Sequence, residues 1–182
     1  GPVTPASGGA TFPAALNVVE VSAPSLGARR SLENLTVQNG RATGFTATIV
    51  NGGGLFIDTA DEFLLDRCLV VNNVARAQGG GVYNASSGAV TFRSCFFSGN
   101  VADEGAAIAI PVGNAPVIGN CVFRRNGKAR NGGALFIGPQ ANVICNNSIF
   151  DRNVAALSTG DRCLATTSMA TAVFSSHIAP LP

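Results

Sequence analysis

The chain has 182 residues, 46% hydrophobic and 12% charged, with 12 Lys and Arg against 10 Asp and Glu. That length can bury a real core, and that composition excludes a disordered chain. A net charge of +2 with no basic run points away from a nucleic-acid partner, while 22 glycines with a single lysine suit a turn-rich β protein.

Gly1-Pro2 reads as the scar of a cleaved tag, and residues 1–15, rich in Gly, Pro, Ala and Ser, as that remnant and a linker. Residues 16–178 read as one domain, with a short tail at 179–182. Leu16 to Val21 is β-branched and predicts a first strand. Leu32 to Gly40 alternates and ends on Asn39-Gly40, a turn signal. Matching Asn39 to Asn73 makes a first interval of 34 residues, its excess falling in an insertion, Arg41 to Asn51.

From Gly52 to Asn153 one pattern recurs. Gly-Gly-Gly-Leu-Phe-Ile (52–57), Gly-Gly-Gly-Val-Tyr-Asn (79–84) and Gly-Gly-Ala-Leu-Phe-Ile (132–137) are copies, with a worn one at Gly105 to Ile110. Interleaved are Phe97-Ser-Gly-Asn100, Phe123-Arg-Arg-Asn126, Phe150-Asp-Arg-Asn153 and a looser Val70-Val-Asn-Asn73. Asn73, Asn100, Asn126 and Asn153 step by 27, 26 and 27 residues. Cys68, Cys95, Cys121 and Ser148 keep the same steps, as do Leu65, Phe92, Ile118 and Cys145. After Asn153 the pattern decays, with Leu164 and Ala172 to Phe174 placed as strands of a sixth unit.

Each unit holds three short apolar runs, none with helical spacing. Three strands per fixed unit of 26–27 residues predict a solenoid with three parallel sheets, one strand per coil in each. The expected fold is all-β: a right-handed parallel β-helix of about five coils. The Leu65 and Cys68 columns should face inward, with Val70, Phe97, Phe123 and Phe150 stacked beside them. The asparagine column should occupy a corner in the left-handed conformation, each amide bonding to the next. No uncharged stretch makes a convincing membrane span.

At these residues the chain resembles the polymorphic membrane proteins, bacterial autotransporter-like surface proteins whose passenger regions repeat Gly-Gly-Ala-(Ile/Leu/Val) and Phe-x-x-Asn. Gly132-Gly-Ala-Leu135 matches the first motif, the Phe97, Phe123 and Phe150 segments match the second, and the copies with Gly54 and Gly81 in place of Ala are near matches. The resemblance covers about 100 residues. It implies an extracellular or cell-surface passenger that adheres or scaffolds, with a protein or glycan ligand.

The enzyme alternative, a carbohydrate-active β-helix, needs convergent carboxylates. Asp58, Asp61, Glu62, Asp66, Asp103, Glu104 and Asp151 fall in different columns, and Asp66 is followed in its own column by Arg93, Gly119 and Asn146. The one histidine, His177, lies in the decaying tail. No catalytic set, metal site or cofactor is therefore expected; solvated corners account for the acidic groups better than calcium does. Cys68, Cys95, Cys121, Cys145 and Cys163 lack any C-x-x-C pair and read as buried free thiols. A bridge between neighbouring coils stays open on geometry.

For binding, Phe56, Tyr83 and Phe136 form a row with Ala109 that strand alternation turns outward; with reversed parity they join the core. The insertion, with Phe45, is the second candidate. Asn34-Leu-Thr36, Asn84-Ala-Ser86 and Asn146-Asn-Ser148 match the N-glycosylation pattern. With no amphipathic cap evident, the solenoid should stack end to end on further coils or a partner chain.

Overall fold

A computed structural model describes residues 19–23, 27, 29–44, 50–111, 113–127, 129–155, 164–166 and 171–175. Alternating apolar runs three to five residues long form strands that repeat once per coil. Sheet 1 stacks β1 (Val19–Ala23), β5 (Leu55–Thr59), β9 (Val82–Asn84), β12 (Ile108–Ile110), β15 (Leu135–Ile137) and β18 (Leu164–Thr166). Sheet 2 stacks β2 (Arg30–Glu33), β6 (Phe63–Asp66), β10 (Val90–Arg93), β13 (Val117–Gly119), β16 (Asn142–Asn146) and β19 (Thr171–Ser175). Sheet 3 stacks β3 (Thr36–Gln38), β7 (Leu69–Val71), β11 (Phe96–Ser98), β14 (Val122–Arg124) and β17 (Ile149–Asp151). A short fourth sheet pairs β4 (Arg41–Ala42) with β8 (Val74–Ala75). Every pairing is parallel, for example Phe92 with Leu65 and Ile118. The molecule is an all-β parallel solenoid of five coils and part of a sixth.

The core lies between the three sheets. Leu65, Phe92, Ile118 and Cys145 are wholly buried, as are Val70, Phe97 and Phe123. Phe97 stacks on Phe123 with ring centroids 4.9 Å apart, and Phe123 on Phe150 at 4.7 Å. Those separations match the coil repeat of ~4.8 Å. Each buried ring contributes roughly 2–3 kcal/mol.

Residues with positive φ mark the corners in columns. Arg67, Ser94, Asn120 and Asn147, at φ between 47° and 54°, separate sheet 2 from sheet 3. Asn72, Gly99, Arg125 and Arg152, at φ between 52° and 65°, end sheet 3. Gly79, Gly105 and Gly132 open sheet 1. At Gly132 the requirement is strict, because φ is 59° and an added Cβ would strike the Leu135 carbonyl.

Two sequence expectations need correction here. The ladder asparagines Asn73, Asn100, Asn126 and Asn153 are not the left-handed residues; the residue before each of them is. That residue turns the chain with its side chain outward, so the next side chain enters the core and can bond along the axis. The first coil is also offset by one from the sequence alignment. Val37 pairs with Val70, which puts Asn39 opposite Asn72 and Gly40 opposite Asn73. Gly40 lacks a side-chain amide, yet its backbone N–H still donates to Asn73 Oδ1 across 33 residues. The first described strand, Val19–Ala23, overlaps the expected Leu16 to Val21 at residues 19–21, and residues 16–18 lie outside the described residues. The terminal segments 1–15 and 179–182 lie outside the described residues.

The ladder itself is continuous. Asn73 Nδ2 donates to Asn100 Oδ1 at 3.1 Å, Asn100 Nδ2 to Asn126 Oδ1 at 3.0 Å, and Asn126 Nδ2 to Asn153 Oδ1 at 2.9 Å. Each Nδ2 also donates to a carbonyl of the preceding coil, Val37, Val70 or Phe97. Each bond contributes about 1 kcal/mol net. Beside the ladder an added Cβ at Gly54 would sit 2.8 Å from the Asn73 side chain. The small third residue of the glycine motif therefore makes room for the asparagine.

Candidate interaction surface

On sheet 1, Leu55, Ile57, Val82, Ile108, Leu135 and Ile137 belong to the core, so Phe56, Tyr83, Ala109 and Phe136 occupy the outward positions. Outward is not the same as exposed, however. Phe136 retains 7% exposure and Ala109 none, while Phe56 and Tyr83 are half-buried. Phe56 and Tyr83 stack 5.2 Å apart at 22°, so they spend ring faces on each other. A sugar ring packs on aromatic faces, which this row offers sparingly. Burial also pushes the Tyr83 hydroxyl above its ordinary pKa. The expected continuous aromatic platform is thus interrupted. Phe45 lies outside the described residues; the end of its insertion is anchored, with Val50 O accepting Ala77 N–H at 2.9 Å and Asn51 Oδ1 accepting Gln78 N–H at 3.1 Å.

The exposed apolar surface lies on sheets 3 and 2 instead. Sheet 3 turns out Leu69, Phe96, Val122 and Ile149 in register. Leu69 is 46% exposed and Ile149 56%, with Phe96 and Val122 half-buried between them. On sheet 2 the outward row is Leu64, Thr91, Val117 and Ile144, and Ile144 is 45% exposed. Apolar side chains in rows on a flat sheet form the kind of patch that marks interaction sites.

The corner between these rows changes character along the axis. In the early coils it is charged: Asp66 binds Arg67 at 2.5 Å and Arg93 at 2.8 Å, and Arg67 reaches Glu33 at 3.3 Å. The Arg93 hydrogen bond, ahead of the opposing effect of burial, holds the Asp66 carboxyl below its ordinary pKa. In the later coils the same positions are Gly119, Asn120, Asn146 and Asn147. There the two apolar rows meet across a neutral strip.

The described acidic residues do not converge. Asp61 is buried and bound by Arg30 at 3.0 Å; Glu62 pairs with Arg29 at 2.8 Å; Asp151 pairs with Arg124 at 2.9 Å. Glu104 accepts amide hydrogens from Gln78 at 2.7 Å and Asn131 at 3.1 Å. A cleft of about 260 Å³ over sheet 2, lined by Arg29, Glu62, Leu64, Thr91 and Arg93, holds only that already paired carboxylate. Among the described residues no three His, Cys, Asp or Glu side chains are grouped to hold a metal. His177 lies outside them.

Cys68, Cys95, Cys121 and Cys145 are buried free thiols; Cys163 lies outside the described residues. The column is a row of small inward donors: Cys68, Cys95 and Cys121 Sγ bond to the carbonyls of Leu32, Leu65 and Phe92 in the preceding coil. Ser148 continues it, its hydroxyl accepting the Cys121 N–H at 3.2 Å. Asn84 replaces isoleucine in an inward column and is wholly buried. Its Nδ2 finds no partner. The Asn84-Ala-Ser86 pattern therefore cannot carry a glycan on the folded chain.

Sequence reasoning missed the Leu69 row, although the signal was there. Leu69, Phe96, Val122 and Ile149 keep the same steps as the core columns and sit between two of them. Residues on either side of an outward position face in, so alternation alone places this row outside.

The model of the family described as right handed beta helix region matches residues 26–176. No curated protein and no solved structure matches the chain. No helix among the described residues is long and apolar enough to cross a membrane.

Proposed function

The chain belongs to the right-handed β-helix family, and from that premise we propose that it is a non-catalytic module of the cell surface or extracellular space that binds a protein partner through the outer face of sheets 2 and 3. The observation that carries this reading is the outward row Leu69, Phe96, Val122 and Ile149, exposed at Leu69 and Ile149 and joined in the later coils to Val117 and Ile144. A fold alone does not assign function; the outward apolar row is what supports this reading. The repeat's resemblance to polymorphic membrane protein passengers supports the extracellular setting.

The test compares wild type with Leu69→Ser/Ile149→Ser and with Phe56→Ala/Tyr83→Ala in pull-downs from cell-surface extracts and on a glycan array. A protein ligand lost by the first variant and kept by the second, at unchanged melting temperature, supports the reading. Loss in the second variant alone moves the site to sheet 1. The paired state of Asp61, Glu62, Asp66 and Asp151 argues against glycosidic cleavage, which needs two cooperating carboxyl groups. Incubation with acidic polysaccharides is expected to release no new chain ends; their release would restore the enzyme alternative.

A further inference from the structure

We propose that the corner leading from sheet 3 to sheet 1 binds a linear acidic polysaccharide laid along the coil axis, its carboxylate or sulfate groups held by arginines from successive coils. Arg41, Arg76, Arg124, Arg125, Arg130 and Arg152 all lie at this corner and all are exposed. They span more than a hundred positions of sequence, and only Arg124, Arg125 and Arg130 are close together in it.

Stacking brings them together. β4 pairs with β8, Val74 bridges to Val101 and Val101 to Gly127, and Gln78, Glu104 and Asn131 bridge in turn. The strip so formed crosses five coils, or roughly 20 Å. Three acids share it, namely Asp103, Glu104 and Asp151. Glu104 is bonded by two neutral amides, and Asp151 is shared by Arg124 at 2.9 Å and Arg152 at 3.6 Å. Arg41, Arg125 and Arg130 make no ion pair among the described residues.

The other corners lack this excess. Between sheets 1 and 2, Asp58, Asp61 and Glu62 face Arg29 and Arg30; between sheets 2 and 3, Glu33 and Asp66 face Arg67 and Arg93. The chain's small positive charge is thus concentrated on one edge, the condition for charge-steered binding.

The shape of the strip selects the class of polyanion. It runs along the coil axis across five coils, which fits one extended chain carrying an acidic group at intervals. Guanidinium groups take carboxylate and sulfate in paired hydrogen bonds. A nucleic-acid single strand would call for exposed aromatic platforms, and the described residues of this corner, 39–44, 50–54, 72–81, 99–107, 124–127, 129–134 and 152–155, contain no aromatic side chain. The proposal rests on the reading of the chain as a binding module and not on the apolar face.

The test titrates heparin oligosaccharide, polygalacturonate, neutral dextran and a DNA oligonucleotide into the 182-residue chain at low and at physiological salt. Wild type should bind an acidic polysaccharide, with affinity falling as salt rises, and ignore dextran. Arg125→Asn/Arg130→Gln/Arg152→Asn should weaken binding by roughly tenfold or more; Asn at the left-handed positions preserves the turn. Ser31→Asp/Ser87→Glu/Ala115→Glu changes the net charge equally at other exposed sites and should stay within about twofold of wild type. Equal losses in both variants, no loss in the first, or tighter binding of DNA would each overturn the proposal. Leu69→Ser/Ile149→Ser should leave polysaccharide binding intact, so this result and that of the apolar face are read separately.

Discussion

The Asn100 side chain donates its amide to Asn126 Oδ1 at 3.0 Å, and the same oxygen accepts the Asn100 backbone N–H at 3.1 Å. Asn100 Oδ1 in turn accepts both the backbone and the side-chain N–H of Asn73. One buried side chain thus satisfies groups in three coils. Asn100→Leu should orphan these donors and cost about 3–4 kcal/mol, read as a fall in the urea midpoint. An unchanged midpoint would remove the ladder from the account of stability.

Asn84 is as buried as Asn100 and should behave differently. Its Oδ1 accepts the Ser86 N–H at 3.2 Å, but Nδ2 is unpaired beside Ile57 and Ile110. Asn84→Val loses one bond and relieves one unsatisfied donor. We expect a change within about 1 kcal/mol of wild type in the same unfolding experiment. A loss as large as that of Asn100→Leu would show that the Asn84 amide has a partner.

Stability should fall in acid through Asp66. Arg93, and then Arg67, hold its carboxyl below the ordinary value of 3.8, so the folded chain binds this proton less readily than the unfolded chain. The contribution is complete above that value and disappears as pH drops below it, through the folded-state value. Urea midpoints of Asp66→Asn should be lower at neutral pH and decline less steeply in acid. A variant with the wild-type acid limb would assign acid sensitivity elsewhere.

The thiols should be inert in the native state. Burial pushes Cys68 and Cys145 above the ordinary thiol pKa, and Cys121 is raised first by its hydrogen bond with Cys95 and then by burial. Thiolate is the reactive form, and little of it forms at these three at neutral pH; Cys95 is lowered by its hydrogen bond with Cys121, but at 2% exposure its sulfur is out of reach of a reagent. Iodoacetamide followed by peptide mapping should leave Cys68, Cys95, Cys121 and Cys145 unmodified over a time that labels all four in urea. Native labelling of Cys121 would mean that the coil opens there.

The repeat declared most of the fold. Glycines, asparagines and Phe/Cys columns at one period require stacked coils, because in-register repetition places like residues over like and a column of buried apolar side chains closes a core. The corners were less legible. A left-handed residue can be Asn, Arg, Ser or Gly here, so residue type alone could not show that Asn72, and not Asn73, makes the turn. The one-residue slip in the first coil arose the same way: Gly40 occupies the ladder position without the side chain that identifies it.

The candidate sites divide along the same line. Strand parity, legible from alternation, placed Phe56 and Tyr83 on the outer side of sheet 1 and, read further, would have placed Leu69 and Ile149 on the outer side of sheet 3. Exposure was not legible, since Phe136 and Ile149 are both outward yet 7% and 56% exposed. What covers an outward side chain depends on neighbours remote in sequence. The charge pattern needed the tertiary structure most of all. Arg41, Arg76 and Arg152 are isolated letters in the chain, far from the group at Arg124, Arg125 and Arg130, and only the stacking of coils at roughly 4.8 Å makes one basic edge of them.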